Sequence, residues 1–542
     1  MRHRASRSVA LLLLVCAACT LAACGGPHQP GASVPRALTF IDAVPALPED
    51  LDPSGTPTPE AETILPSWSS GLVRPAGVTP GPNAQLPAAS AVVPYLATSW
   101  QTAPAGDITF QLRRGVRGPT GHLFTAADVS WSIARDLAVV PAAPYLFSLA
   151  HLDASNPVTV LGPYEVRFNV TAPSPFLLGV LASLEGAIYD RGRYLEHATR
   201  ADPWGEAWGA TNSATFGAYY VADFLPAKRI TLLRNPHAWN HPYYAKVEIR
   251  QMPDSGNRLD AVFAGRIDHA SGLDWDDYDS ALAYGWANHV HASILQTGPA
   301  VESWFLNIAS PPFDNPLVRS ALAIAIDRAE IAGQVWGGYA KPDVLALPAA
   351  YGQPQPGVGD LAAAKRLLAK AGFPHGLTIR IYLPYDLGDG GQSYTLYLLR
   401  RQLAVIGITL ITTVIYDDDQ LHALAAAHQL PSAIEDLTPL LSGAAFSLIT
   451  TEGTGALDPV SPASQFGYDD GAVQLLLNRL ARTPAGPAET PLIARIAALV
   501  DNDMPAVNLF ELPVQNVTRA AITGYAAHAV PVTYYEDLHP KR

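Results

Sequence analysis

Ile108-Thr109-Phe110-Gln111-Leu112-Arg113-Arg114-Gly115-Val116 and, after a short gap, Phe124-Thr125-Ala126-Ala127-Asp128-Val129 decide the fold class. In the first stretch apolar Ile108, Phe110 and Leu112 alternate with polar residues, the period of a half-buried strand. In the second, Thr125 stands as an N-cap, and Asp128 takes the place usually held by Glu in a capping box. Val129, Ile133 and Leu137 then recur at helical spacing, which predicts a helix over about residues 126–137. Strand followed by helix is the unit of an α/β protein.

Outward from this stretch the alternation persists. Val247-Glu248-Ile249-Arg250 reads as another half-buried strand. A second helix opens at Asp314-Asn315-Pro316, where proline fits the first turn because its missing N–H has no partner there anyway. From Leu317 to Ile326 it is apolar nearly all round and is therefore expected to be buried. A third runs from Asp360, the N-cap, through Leu361, Ala364, Leu367 and Leu368 to Gly372 as the C′ residue. No short fixed-period repeat is present, which argues against a solenoid or propeller.

At 542 residues, 49% hydrophobic and 15% charged, the chain is a folded protein too long for one core, and two to four domains are expected. Thirty-five basic against 48 acidic residues give a net charge of −13, which argues against a nucleic-acid partner. The three cysteines are Cys16, Cys19 and Cys24, so neither a zinc ribbon nor a catalytic thiol can be built from the rest.

The N-terminus explains the cysteines. Arg2, Arg4 and Arg7 precede the apolar run Val9 to Val15, the charged and hydrophobic regions of an export signal. The run is short for a bilayer span, which needs about 20 residues. It ends in Leu21-Ala22-Ala23-Cys24, which resembles a bacterial lipobox, with small residues before the cleaved bond and the Cys24 thiol as lipid acceptor. The alternative is an ordinary signal peptide that happens to contain Cys24. Cleavage removes the three arginines and leaves the mature chain more acidic, so anchoring is expected to be covalent and not electrostatic. Residues 25–33, Gly-Gly-Pro-His-Gln-Pro-Gly-Ala-Ser, read as a tether. The remainder is expected to work outside the cytoplasm, on the membrane-anchored extracytoplasmic face.

Several blocks, in order, resemble the family 5 extracellular solute-binding proteins, the oligopeptide- and dipeptide-binding receptors of bacterial ABC importers. They are Leu51-Asp52-Pro53 with Ser70-Gly71-Leu72-Val73, Val93-Pro94-Tyr95-Leu96-Ala97-Thr98-Ser99-Trp100, and the opening stretch from Thr109 to Val129. Phe216-Gly217-Ala218-Tyr219-Tyr220, Arg234-Asn235-Pro236-His237-Ala238-Trp239 and Ala264-Gly265-Arg266-Ile267-Asp268 follow. Phe313 to Leu322, Ala325-Ile326-Asp327-Arg328 and Leu403-Ala404-Val405-Ile406-Gly407-Ile408 complete the series.

The resemblance implies a two-lobed α/β periplasmic-binding-protein fold of the large type II class, with an extra domain and a hinge between lobes. It implies a signal peptide over 1–23, a lipidated tether over 24–35, and lobe I over 36–73, 211–300 and 511–542. The extra domain then spans 74–210 and lobe II 301–510. The chain crosses near 295–305 and 505–512, the second time around Val507-Asn508-Leu509-Phe510. Such a receptor closes on a peptide or other small solute and passes it to ABC permease subunits, which couple to separate ATPase subunits. It acts as a monomer without a cofactor.

Peptide-binding members hold their ligand by strand addition. The resemblance puts the first-lobe contact on Pro59-Glu60-Ala61-Glu62, and the second on Ala433-Ile434-Glu435-Asp436-Leu437, with Asp436 or Glu435 pairing the α-ammonium. The family's Trp-x-x-Asp and Asp-Pro steps are not kept there. At the carboxylate end, Gly390-Gly391-Gln392-Ser393-Tyr394 lacks the arginine of dipeptide binders, and Arg400 and Arg401 fall within the next helix. The ligand is thus longer, or lacks that carboxylate, or is not a peptide. Trp304, on a strand beside the first crossing, is a candidate stacking wall against a core position.

An enzyme is the competing class, but no His-Glu-x-x-His, Gly-x-Ser-x-Gly, Ser-x-x-Lys or phosphate-cradling loop is present. His237 and His241 are flanked by helix-breaking Pro236 and Pro242, and His289 with His291 lacks a spaced acidic or Cys partner, so no metal is expected. The same fold without transport, an anchored regulatory scaffold of the envelope, is the alternative function.

Overall fold

A computed structural model describes residues 35–55, 58–80, 84, 87, 91–295, 300–343, 359–384, 390–415, 420, 423–424, 427–437, 441, 443–455, 457–458, 461–528 and 532–541. Cys24 and the proposed tether up to residue 34 lie outside them. Seventeen strands carry the architecture. They are β1 (Thr39–Val44), β2 (Ala97–Thr102), β3 (Ile108–Leu112), β4 (Val158–Gly162), β5 (Glu165–Phe168), β6 (Tyr219–Leu225), β7 (Arg229–Arg234), β8 (Lys246–Gln251), β9 (His269–Ala270) and β10 (Val290–Leu295). The others are β11 (Val301–Leu306), β12 (Lys341–Pro342), β13 (Leu377–Pro384), β14 (Ile408–Ile415), β15 (Ser432–Leu437), β16 (Ala506–Glu511) and β17 (Val514–Arg519). The principal helices are α1 (Pro59–Ile64), α2 (Ala126–Val139), α3 (Ala143–Leu149), α4 (Ser255–Phe263), α5 (Trp275–Tyr284), α6 (Pro316–Ala325), α7 (Arg328–Val335), α8 (Leu361–Lys370), α9 (Gly390–Ala404), α10 (Ala444–Glu452), α11 (Gly471–Leu480) and α12 (Thr490–Asp503).

The local signals act as read. The Thr125 N–H donates to Asp128 Oδ2 at 2.8 Å, closing the capping box of α2. Asn315 caps α6 with Pro316 in its first turn, and Asp360 accepts the Ala363 N–H at 2.8 Å to start α8. Gly372 follows α8 with φ +96°, a conformation that costs a side-chain-bearing residue strain.

Lobe I is a seven-stranded sheet in the order β10-β17-β9-β1-β8-β7-β6, and β1 runs parallel to β8 and β9. Every residue of β1 is buried, because both faces are covered. Phe40 and Val44 enter one core with Leu232 and Ile249, and Ile41 and Ala43 enter another with Val262 and Val517. Lobe II is a six-stranded sheet in the order β12-β16-β11-β15-β13-β14, with Trp304, Leu306 and Leu509 packed against Leu322 of α6 and Leu399 of α9. A four-stranded sheet, β2-β3-β5-β4, belongs to the insertion after β1.

Two findings differ from the sequence division. The second crossing joins β16 to β17 at Leu512-Pro513; Val507 to Phe510 are a strand inside the lobe II sheet, bonded to β11 and not bridging lobes. Leu512 N–H donates to Ala300 O at 2.8 Å, so the two crossings are tied to each other. In addition, α10 to α12 share a continuous apolar cluster with the inserted domain, where the Phe176 and Phe446 ring centroids are 5.8 Å apart.

Candidate functional site

Strand direction locates a cleft. In lobe I, β1, β8 and β9 end at the edge where β10 also ends and β17 begins, since Leu295 lies opposite Val514 in the ladder. In lobe II, β13, β14, β15 and β16 end where β11 begins, with Val301 opposite both Leu437 and Glu511. The crossings link these two edges, so the carboxyl ends of both sheets face each other across the hinge. In open α/β sheets this is where ligands sit.

Both ends of the facing edges touch. Near the hinge, Trp275 at the start of α5 packs on Trp336 and Tyr339 of lobe II, with ring centroids 5.7 and 5.5 Å apart. The Tyr339 hydroxyl donates to Asp279 Oδ1 at 2.7 Å. On the other side, Tyr145 of α3 donates to Asp458 Oδ2 at 2.9 Å, beside the Phe176–Phe446 contact.

The segment leaving β1 forms a wall with the inserted domain. Asp52 accepts from Arg135 of α2 at 2.6 Å, and both side chains are buried. The Arg135 guanidinium also lies 4.9 Å from the ring centroids of Tyr189 and Tyr194. Beside this pair is a recess lined by Asp52, Ala61, Glu62, Val140, Leu184 and Glu185. Burial and then the charge of Glu185 push the Glu62 carboxyl up to about 8. Burial also raises Glu185, although the Ser183 hydroxyl donates to it at 2.5 Å. Burial raises Asp136 well above the carboxylate range against the opposing pull of Arg135. The recess therefore keeps a proton at neutral pH, and the neutral carboxyl there can donate or accept a hydrogen bond.

The residues singled out from sequence meet different fates. Glu60, Ala61 and Glu62 are in the first turn of α1 and are not extended. Thr58 caps that helix, accepting the Ala61 N–H on Oγ1 at 3.2 Å and the Glu62 N–H on its carbonyl at 3.0 Å, and Pro59 has no N–H. This segment offers no ladder for strand addition; Ala61 and Glu62 face the recess instead. Thr58-Pro59-Glu60 was the missed signal, an N-cap followed by proline and an acidic first turn. Trp304 is 0% exposed on a central strand, so it is core and not a stacking wall. Ile434 lies opposite Trp304 and is buried in the same cluster, so it too is structural. Glu435 and Asp436 lie opposite Ser303 and Glu302 near the end of β15, at the cleft edge. Their side chains are outside the described residues. Arg400 bonds Thr412 and Arg401 pairs with Glu330, so neither is free to grip a ligand carboxylate. No cluster of three potential metal ligands exists among the described residues.

Comparison with known proteins agrees with this geometry. Residues 91–456 match the family model described as bacterial extracellular solute-binding proteins, family 5 Middle. The periplasmic oligopeptide-binding protein OppA of Escherichia coli K12 is 25% identical over 326 residues, covering 55% of this chain and 58% of that protein. The glutathione-binding protein GsiB of the same strain is 26% identical over 328 residues, covering 58% and 59%. The match thus spans little more than half the length of these relatives. The ABC transporter-associated periplasmic binding protein DppA from Helicobacter pylori, solved with peptide STSA, superposes with a TM-score of 0.75 at 21% identity, over 93% of this chain and 98% of that one. The likeness to DppA establishes the two-lobed fold.

Proposed function

The chain belongs to the bacterial extracellular solute-binding proteins of family 5, and from that premise we propose that it is the substrate-binding lipoprotein of an ABC importer. It captures a peptide or similar small solute between its lobes and delivers it, chemically unchanged, to a membrane permease driven by separate ATPase subunits. One observation carries the reading: lobe II is joined to lobe I by two adjacent crossings that connect the carboxyl edges of both sheets. A pair of parallel connections permits rotation about one axis, and a solute touching both edges biases that rotation toward closure.

In this reading Cys24 carries the lipid, and the solute's α-ammonium pairs with Asp436 or Glu435 at the end of β15. An ammonium removed from water needs such a partner to offset its desolvation. The relatives named for oligopeptides and glutathione favour a peptide ligand. Native mass spectrometry of the purified protein tests this, because a closed receptor retains its ligand; scattering before and after ligand removal tests the hinge. A peptide-sized adduct whose removal expands the particle is expected. No expansion, and no contraction with any peptide offered, would favour the envelope scaffold.

A further inference from the structure

Lobe I has a second edge, opposite the cleft, where β1, β8, β9 and β10 begin and β17 ends. The turns on it expose large side chains. Tyr243, leading into β8, is 43% exposed; Tyr284, at the end of α5, is 62%; and Trp286, in the turn entering β10, is 80% exposed. A tryptophan that open to water on a folded surface is uncommon.

The same edge is basic on an acidic protein. Arg36, Arg266, Arg519 and Lys541 are all exposed or half-exposed here. Lys541 is fixed by its N–H donating to Ala521 O at 2.7 Å. Buried Asp268 bridges Arg36 at 2.9 Å and Arg519 at 3.1 Å, one carboxylate for two guanidiniums. Glu248 is taken by Lys246 and Arg250, and Asp260 sits one turn back on α4. From β8 to β10 the edge crosses five strands, about 19 Å at the usual strand spacing.

The chain also enters the structure here. Pro35 and Arg36 lead directly into Thr39 of β1, and Cys24 precedes Pro35 by eleven residues. Fully extended, those residues reach at most about 38 Å.

We propose that this edge of lobe I rests on the lipid headgroup layer, with Trp286, Tyr284 and Tyr243 at the interface and the arginines facing anionic headgroups. Amphipathic aromatic rings settle at headgroup depth, and basic residues are drawn to an anionic leaflet within a Debye length. The lipoprotein reading enters only through the reach of the chain from Cys24; the aromatic and basic edge is independent of it.

The test uses the full chain in vesicles of phosphatidylglycerol and phosphatidylcholine whose acyl chains carry bromine, a contact quencher of tryptophan. Wild-type emission should contain a quenched component that Trp286→Ser removes. Arg266→Gln should weaken it, by about five-fold in surface partition for one charge, and pure phosphatidylcholine should weaken it further. Both residues are exposed, so neither variant threatens folding. Equal quenching in wild type and Trp286→Ser overturns the proposal. So does an unquenched Trp286 whose substitution instead abolishes capture of the permease, since the edge then belongs to a protein partner. Intact mass reports acylation of Cys24 separately; its absence removes the anchor while the quenching result still decides the edge.

Discussion

Replacing Glu62 by Gln isolates the proton held in the recess between α1 and the inserted domain. Burial and the neighbouring Glu185 charge move this carboxyl from its ordinary 4.5 up to about 8. The folded chain therefore keeps a proton that the unfolded chain releases near 4.5. With the folded value the higher one, the stabilisation is complete below about pH 4.5 and drains as pH rises to about 8, where it levels off. Each unit corresponds to about 1.4 kcal/mol, giving a ceiling of about 5 kcal/mol. Glu185 competes for the same proton, so about 2–4 kcal/mol is expected. Glutamine is neutral at every pH and donates a hydrogen bond as the protonated acid does. Urea unfolding at pH 5 and pH 9 should find Glu62→Gln equal to wild type at the lower pH and more stable at the higher. Taking the difference between the two proteins cancels the other buried acids. Parallel pH profiles, or a variant weakened at pH 9, would refute the shared-proton recess.

Asp436→Ala should weaken a peptide with a free amine by at least a few kcal/mol in calorimetry and spare its N-acetylated form; an unchanged affinity transfers the role to Glu435. Tyr339→Phe deletes the bond to Asp279 across the lobes, and ligand affinity should fall roughly two- to ten-fold as a hydrogen bond of about 0.5–1.5 kcal/mol is lost, without a change in the melting of either lobe. Trp304→Ala should destabilise lobe II by about 3–5 kcal/mol in chemical unfolding and leave the affinity of the folded fraction intact, the reverse of what a ligand wall would do. Cys24→Ser should release the protein from the membrane fraction and remove an acyl mass; persistence of both rejects the lipobox.

Much of the fold was legible because it is local. The capping box at Thr125, Pro316 at a helix start and Asp360 with Gly372 each act through bonds within a few residues, and all three helices form. Trp304 shows the limit: strand alternation says that a side chain faces one side, but not which helices later cover that side. The segment at Glu60 to Glu62 shows another. The resemblance makes it a contact for strand addition, although Thr58-Pro59 encodes a helix start. The recess had no sequence signal, since Glu62 and Glu185 meet only after the inserted domain folds against the segment that follows β1. Nor did the aromatic edge, whose members come from two segments distant in sequence, one before β8 and one between α5 and β10.

Lobe II is an excursion between Leu295 and Val514, and both described chain ends belong to lobe I. A leash at the amino terminus would thus restrain one jaw directly and the other only through the two crossings. Hinge closure leaves the shape of each jaw unchanged, so a transporter reading occupancy must sense the gap between the two or the angle they make. Shortening the leash would then change how often the two partners meet and leave the grip on solute untouched.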